Sequence, residues 1–105
     1  MAYVRVWLFE PIPAAREAFE AAYGPDGEWA RLFHRAAGFL GTELLKAEGP
    51  SSRYLTLDRW ISRDAWEAFL RDHRAEYAAL DRRCESLTAM EQEIGSYEEA
   101  ASAGS

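Results

Sequence analysis

Residues 39–61, FLGTELLKAEGPSSRYLTLDRWI, consist of two extended runs on either side of a short loop. Phe39–Glu48 and Arg53–Ile61 have the composition of strands, and Gly49-Pro50-Ser51-Ser52 between them supplies turn residues. This stretch predicts a β-hairpin, and it restricts how the rest of the chain can be arranged around it.

A strand and two helices are predicted before the hairpin. Tyr3–Phe9 (YVRVWLF) is rich in β-branched and aromatic residues, and the prolines at positions 11 and 13 end any ladder. Ala14–Tyr23 is made of good helix formers and stops at a Gly-Pro-Asp-Gly turn. In Glu28–Ala37 the apolar residues recur at i, i+3, i+4 and i+7, which is typical of one helix face.

One long helix and a final strand are predicted after the hairpin. Ser62 is placed as an N-cap, and Asp64 lies in the first turn, where the helix dipole favours an acid. The helix is expected to run without a break to about Leu87, and Met90–Tyr97 is the fourth strand. The order βα(α)β-βαβ predicts an α+β, ferredoxin-like split βαβ domain with a four-stranded antiparallel sheet.

Both faces of the predicted sheet are apolar. Strand one alternates Val4, Val6 and Leu8 with Tyr3, Trp7 and Phe9. Helices cover only one side of such a sheet, so the other side needs cover from outside the chain. The simplest cover is a second copy, and we expect a homodimer packed through the sheet face.

Composition narrows the class of protein. The chain has 105 residues, 49% of them hydrophobic, which suits a single domain; we assign residues 1–98 to it and 99–105 to a flexible tail. The net charge of -6 disfavours nucleic acid, and no apolar run approaches the roughly 18 residues of a membrane span. The N-terminus has no signal-peptide pattern, and the single cysteine, Cys84, has no partner for a disulfide. A cytoplasmic location is therefore expected.

His73 is the first candidate for chemistry. On a continuous helix it falls in the middle of the apolar stripe formed by Trp66, Phe69, Leu70, Tyr77, Leu80 and Cys84. There an imidazole could accept a proton from an acidic substrate. The alternative is a core histidine satisfied by a carbonyl or a carboxylate.

One face of strand three supplies further candidates. Tyr54 and Trp60 could stack on a flat ligand or could simply pack. Asp58 lies between them and could orient a base if it is buried beside His73 or an arginine. The chain has too few histidines and cysteines for a zinc site, and phosphate-binding or nucleophile-elbow motifs are not found in it. We therefore expect neither a metal nor a cofactor.

Two stretches resemble the antibiotic biosynthesis monooxygenase family. They are residues 37–43, AGFLGTE, leading into strand two, and residues 60–66, WISRDAW, leading into the helix that carries His73. The resemblance spans about residues 3–97. It implies a dimeric α+β barrel with a pocket between sheet and helices. Family members include cofactor-free oxygenases acting on phenols, anthrones or quinols, and enzymes that degrade haem.

The resemblance implies a cofactor-independent monooxygenase acting on an electron-rich hydroxylated aromatic. His73 would accept the proton, Tyr77 or Arg5 would donate to the resulting oxyanion, and Trp60, Tyr54, Trp66 and Asp58 would complete the substrate site. The alternative is a dimeric barrel that binds or sequesters a small aromatic metabolite without turnover. The haem-degrading members use a strand-one asparagine, a tryptophan and a histidine. This chain has no asparagine and has Phe69 and Ala79 at the two helix positions, so haem is not expected to be a substrate.

Overall fold

The computed structural model describes residues 2–101 and confirms the predicted α+β fold. Its four strands form one antiparallel sheet in the order β2-β3-β1-β4, which is the ferredoxin-like order. The elements are β1 (Tyr3–Pro11), α1 (Arg16–Tyr23), α2 (Glu28–Phe33), β2 (Phe39–Lys46), β3 (Tyr54–Trp60), α3 (Arg63–Asp72), α4 (Arg74–Cys84) and β4 (Thr88–Glu98). Short 3₁₀ turns at Pro13–Ala15 and Glu85–Leu87 join β1 to α1 and α4 to β4.

The four helices share one aromatic core with the inner face of the sheet. Phe19, Phe33 and Phe69 from the helices meet Tyr54 and Trp60 from β3, and each of these side chains is buried. Their rings pack at centroid separations of about 5 Å in tilted and edge-to-face arrangements. Burial of aromatic area on this side of the sheet holds the domain together.

The prediction of one unbroken helix from Ser62 to Leu87 is wrong in one respect, because the structure has a break at His73. The N-terminal part was predicted correctly: the Ser62 Oγ accepts a hydrogen bond from the Ala65 amide at 3.1 Å. The backbone of His73, with φ -129° and ψ 28°, leaves the helical region and separates α3 from α4. The apolar stripe still continues across the break, because Trp66 and Phe69 before it and Tyr77 after it pack in the same core.

The outer face of the sheet is apolar, and none of the helices within residues 2–101 packs on it. Val6 pairs in register with Leu57, and Leu8 pairs with Leu55, so these four side chains lie on the same side. Leu45 and Tyr97 extend this face into the edge strands, where they are 46% and 52% exposed. The prediction of two apolar sheet faces is confirmed.

Strand β1 extends two residues beyond its predicted end. Pro11 still lies opposite Thr88, at an irregularity in the pairing with β4, where a missing amide proton is tolerated. The first residue of the predicted tail, Glu99, is bonded to the rest of the domain. The Glu99 amide donates to the Ala2 carbonyl at 2.8 Å, and its carboxylate pairs with Arg59 at 3.4 Å. Positions 102–105 of that tail lie outside the described residues.

Candidate functional site

A row of polar residues crosses the inner face of the sheet through all four strands. Asp58 on β3 lies opposite Thr42 on β2 and opposite Arg5 on β1, and Arg5 in turn lies opposite Ser96 on β4. Adjacent inward positions on β3 are Thr56 and Trp60, both buried. Polar groups that are enclosed by an aromatic core need partners, so this row is a candidate site.

Asp58 is the central group of the row. The Thr42 hydroxyl donates to Asp58 Oδ1 at 2.6 Å, while Oδ2 has no hydrogen-bond partner among residues 2–101. Burial raises the pKa of the Asp58 carboxyl to about 6, against the smaller lowering effects of the Thr42 hydrogen bond and the charge of Arg5. The carboxylate can therefore take up and release a proton near neutral pH.

Arg5 is held in place beside the row. Its guanidinium lies 4.2 Å from the centroid of the Trp66 ring and donates to Ser96 Oγ at 3.3 Å and to Glu93 Oε2 at 3.2 Å. The side chain is only 13% exposed. Stacking and two hydrogen bonds fix the cation, which acts on Asp58 through its charge.

A pocket opens above the row between the sheet and helices α2 and α4. It is lined by Trp7, Phe9, Tyr23, Trp29, Phe33, Thr42, Thr56, Asp58, Tyr77, Asp81 and Glu91. The cavity has a volume of about 50 Å³, and about 460 Å³ of empty space when its open mouth is included. The pocket is thus narrow, with aromatic walls and a polar floor, as ligand sites commonly are.

Tyr77 reaches the pocket from α4. Burial raises the pKa of its hydroxyl, and the nearby carboxylates of Asp81, Asp58 and Glu91 add to this effect, although Arg5 opposes it. The hydroxyl therefore stays protonated at neutral pH. It is a hydrogen-bond donor on the wall of the same pocket that Asp58 lines.

The predicted substrate residues divide into three groups. Asp58 and Tyr77 line the pocket, and Arg5 with Trp66 lies beside its floor. The structure does not place Tyr54 or Trp60 in the pocket walls, because both are core side chains with 2% and 0% exposure. The Tyr54 hydroxyl donates to the Glu20 carboxylate.

His73 does not line the pocket. Its ring stacks on the core residue Phe69 at a centroid separation of 5.2 Å, and its Nδ1 lies 3.3 Å from Glu76 Oε2. Its pairing with a carboxylate matches the alternative of a histidine satisfied by a neighbouring side chain.

Several lining residues were missed at the sequence level. Thr42 and Thr56 are polar residues at inward positions of β2 and β3, and their alternation with the outward residues was a readable signal. Asp81 lies one helical turn after Tyr77, which was another such signal. For Trp7, Trp29 and Glu91, only the packing of the helices against the sheet reveals a place in the pocket.

Residues 2–101 include no helix that is both long and apolar enough to cross a membrane. Over the same residues, the histidine, cysteine and acidic side chains form no cluster of three or more that could hold a metal ion.

The fold and the pocket define an α+β domain with ferredoxin-like strand order and an aromatic cavity between sheet and helices. The model of the antibiotic biosynthesis monooxygenase family matches residues 2–79, and the chain belongs to this family. No curated protein sequence matches the chain.

Several solved protein structures have the same fold as this chain. SnoaB, a cofactor-independent oxygenase from Streptomyces nogalater, is 18% identical with a TM-score of 0.70, covering 99% of this chain and 96% of its own. A putative antibiotic biosynthesis monooxygenase from Bordetella bronchiseptica is 17% identical with a TM-score of 0.71, covering 95% and 98%. The heme degrader MhuD from Mycobacterium tuberculosis is 22% identical with a TM-score of 0.65, covering 97% and 99%. At these identities the likeness shows the fold.

Proposed function

We propose that the protein is a cofactor-independent monooxygenase acting on an electron-rich hydroxylated aromatic, and that Asp58 is its proton acceptor. The observation that carries the proposal is the Asp58 carboxylate. It lies on the floor of an aromatic pocket, has one free oxygen atom, and has a pKa raised to about 6. Family membership supports the reaction class, and SnoaB is a similar fold described as a cofactor-independent oxygenase.

The chemistry requires a substrate that reacts with oxygen once it has lost a proton. Triplet oxygen reacts poorly with closed-shell molecules, but a phenolate or enolate is electron-rich enough to donate an electron to it. Asp58 Oδ2 takes the proton, while the Thr42 hydroxyl donates to Oδ1 and leaves Oδ2 free. For an anthrone-type substrate, one atom of O₂ becomes the oxygen of a new carbonyl group at the CH₂ carbon. The other atom of O₂ leaves as water together with the two hydrogens of that CH₂ group.

Two further groups stabilise the anion of the substrate. The protonated Tyr77 hydroxyl can donate a hydrogen bond to the oxyanion from the opposite wall of the pocket. Arg5, fixed by Trp66 and Ser96, supplies positive charge below the floor. The aromatic walls limit the entry of water, which strengthens both interactions.

Oxygen uptake over a panel of anthrones, naphthols and quinols in metal-chelated buffer tests the proposal. Wild type should show turnover, Asp58→Asn should lose about 10²- to 10⁴-fold, the range for general-base catalysis, and His73→Ala should keep its rate per folded molecule. Loss of turnover in His73→Ala with retention in Asp58→Asn would return the proton acceptor to His73. The absence of uptake for every compound would favour a barrel that binds an aromatic metabolite without turnover.

We also propose that two copies pack through the outer face of the sheet. Val6, Leu8, Leu55 and Leu57 form an apolar surface that no element of the described residues covers, and Leu45 and Tyr97 widen it. Stable homodimers bury surfaces of this kind, typically more than about 1,500 Å² in total. Light scattering at micromolar concentration should report close to twice the chain mass of 11.9 kDa.

A further inference from the structure

The charged side chains that line the pocket are all acidic. Asp58 lies on the floor, and Asp81 and Glu91 line the side formed by α4 and β4. Lysine, arginine and histidine are missing from the described residues that line it. Arg5 lies beside the floor, at the end of the pocket that holds Asp58, and is not among the lining residues. A ligand that enters the pocket therefore meets negative charge.

Asp81 and Glu91 are not among the seven acids, of 18 in the chain, that pair with an arginine in the described residues. Arginines pair with Glu10, Glu28, Glu43, Glu67, Glu76, Glu93 and Glu99. Neither Asp81 nor Glu91 has an ion pair within residues 2–101. Partial burial raises the pKa of the Glu91 carboxyl, with further contributions from Asp81 and Glu85. Crowded, partly desolvated carboxylates are stabilised by a cation between them.

The walls of the pocket favour the same kind of ligand. Trp7, Trp29, Tyr23 and Tyr77 present indole and phenol rings, whose faces attract organic cations. Tyr77 stands close enough to Asp81, Asp58 and Glu91 for all three charges to raise the pKa of its hydroxyl. Aromatic rings and carboxylates therefore surround a common space.

The two ends of the pocket have different roles. Glu91 lies in the register row of Phe9, four residues along β1 from the row of Arg5 and Asp58. At 3.3 to 3.4 Å per residue, the rows are roughly 13 Å apart along the strand. One end can thus hold a hydroxyl group against Asp58 while the other holds a separate positive group.

We propose that the substrate is a hydroxylated aromatic that carries a protonated amine, with the amine bound between Asp81 and Glu91 against the rings of Trp29 and Tyr77. Only the placement of the substrate hydroxyl at Asp58 rests on the proposed function, and the amine site does not depend on it. The pocket should also discriminate against anionic ligands, because a carboxylate on the ligand would meet uncompensated negative charge.

Three probes that differ mainly in charge test this inference. Tyramine is a cation, 4-ethylphenol is its neutral counterpart and 4-hydroxyphenylacetate is an anion, and each carries one phenol ring. Isothermal titration calorimetry of the full chain at pH 7 should give a dissociation constant for tyramine about tenfold below that for 4-ethylphenol, with the anion weakest. The preference should shrink as salt is raised.

Variants assign the preference to the two acids. Asp81→Asn and Glu91→Gln should each bring the dissociation constant of tyramine toward that of 4-ethylphenol. The dissociation constant of 4-ethylphenol should stay unchanged. Glu17→Gln, on an exposed acid of α1 outside the pocket, is the matched control and should keep the full preference. Near-ultraviolet circular dichroism checks that each variant retains the packed aromatic core.

The outcomes separate this inference from the proposed oxygenase. Equal or tighter binding of the neutral or anionic probe, or no binding of any of the three, overturns the amine site. A preference for tyramine that persists in both Asp81→Asn and Glu91→Gln also overturns the amine site. Oxygen uptake with neutral phenols alone would leave the oxygenase standing without the amine site. A cation preference without uptake of oxygen would support the amine site and remove the oxygenase.

Discussion

Asp58→Asn should make the protein more stable at neutral pH while it abolishes turnover. The substitution keeps the size and shape of the side chain, and its amide oxygen can still accept from the Thr42 hydroxyl. What it removes is the negative charge that burial disfavours. The native state binds a proton at Asp58 more tightly than the unfolded chain does, because burial raises the pKa from 3.8 to about 6.

The sign and size of the effect follow from this shift. Below about pH 3 the carboxyl is protonated in both states, and its burial does not lower the free energy of unfolding. As the pH rises toward 6, the unfolded chain ionises first, so the free energy of unfolding falls and then levels off above pH 6. A shift of this size corresponds to about 3 kcal/mol. Asp58→Asn does not lose this free energy and should melt roughly 14 °C higher than wild type at pH 8.

Thermal unfolding at pH 4 and pH 8 measures the effect. The difference between Asp58→Asn and wild type should be large at pH 8 and small at pH 4. Asp26→Asn, on an exposed turn residue, is the control and should follow wild type at both. The pH profile of wild-type kcat/KM should rise with an apparent pKa near 6. A variant that melts below wild type at pH 8, or that keeps full turnover, would refute the assignment.

Three further predictions concern assembly, haem and His73. Val6→Glu places a charge on the outer face, where an unpaired buried charge costs several kcal/mol; light scattering should report monomers, and an unchanged dimer would contradict the proposed interface. Hemin titration should give no saturable Soret shift at one per subunit, because the pocket is narrow and acidic; a tight complex that bleaches with reductant and oxygen would overturn this. His73→Ala should lose about 1 to 3 kcal/mol of stability through its contacts with Phe69 and Glu76; a selective fall in kcat with unchanged melting would contradict this.

The elements of the fold were readable from local signals. Strand and helix types, the turn at residues 24–27, the hairpin loop and the Ser62 cap all depend on side chains within a few residues of one another. Hydrophobic period and turn chemistry are properties of short segments, so the sequence carries them directly. The alternation along β1 and β3 also predicted two apolar sheet faces, which the structure confirms.

The site itself depended on long-range packing. Asp58 was identified as a conditional candidate, because its role required burial beside an arginine, and pairing of β3 with β1 is what places Arg5 opposite it. The break in the helix at His73 was not predicted, because no nearby glycine or proline marks it. The sequence by itself thus determined the elements and their apolar faces. The tertiary structure decided which polar side chains share the pocket, because burial and charge there arise from residues distant in the chain.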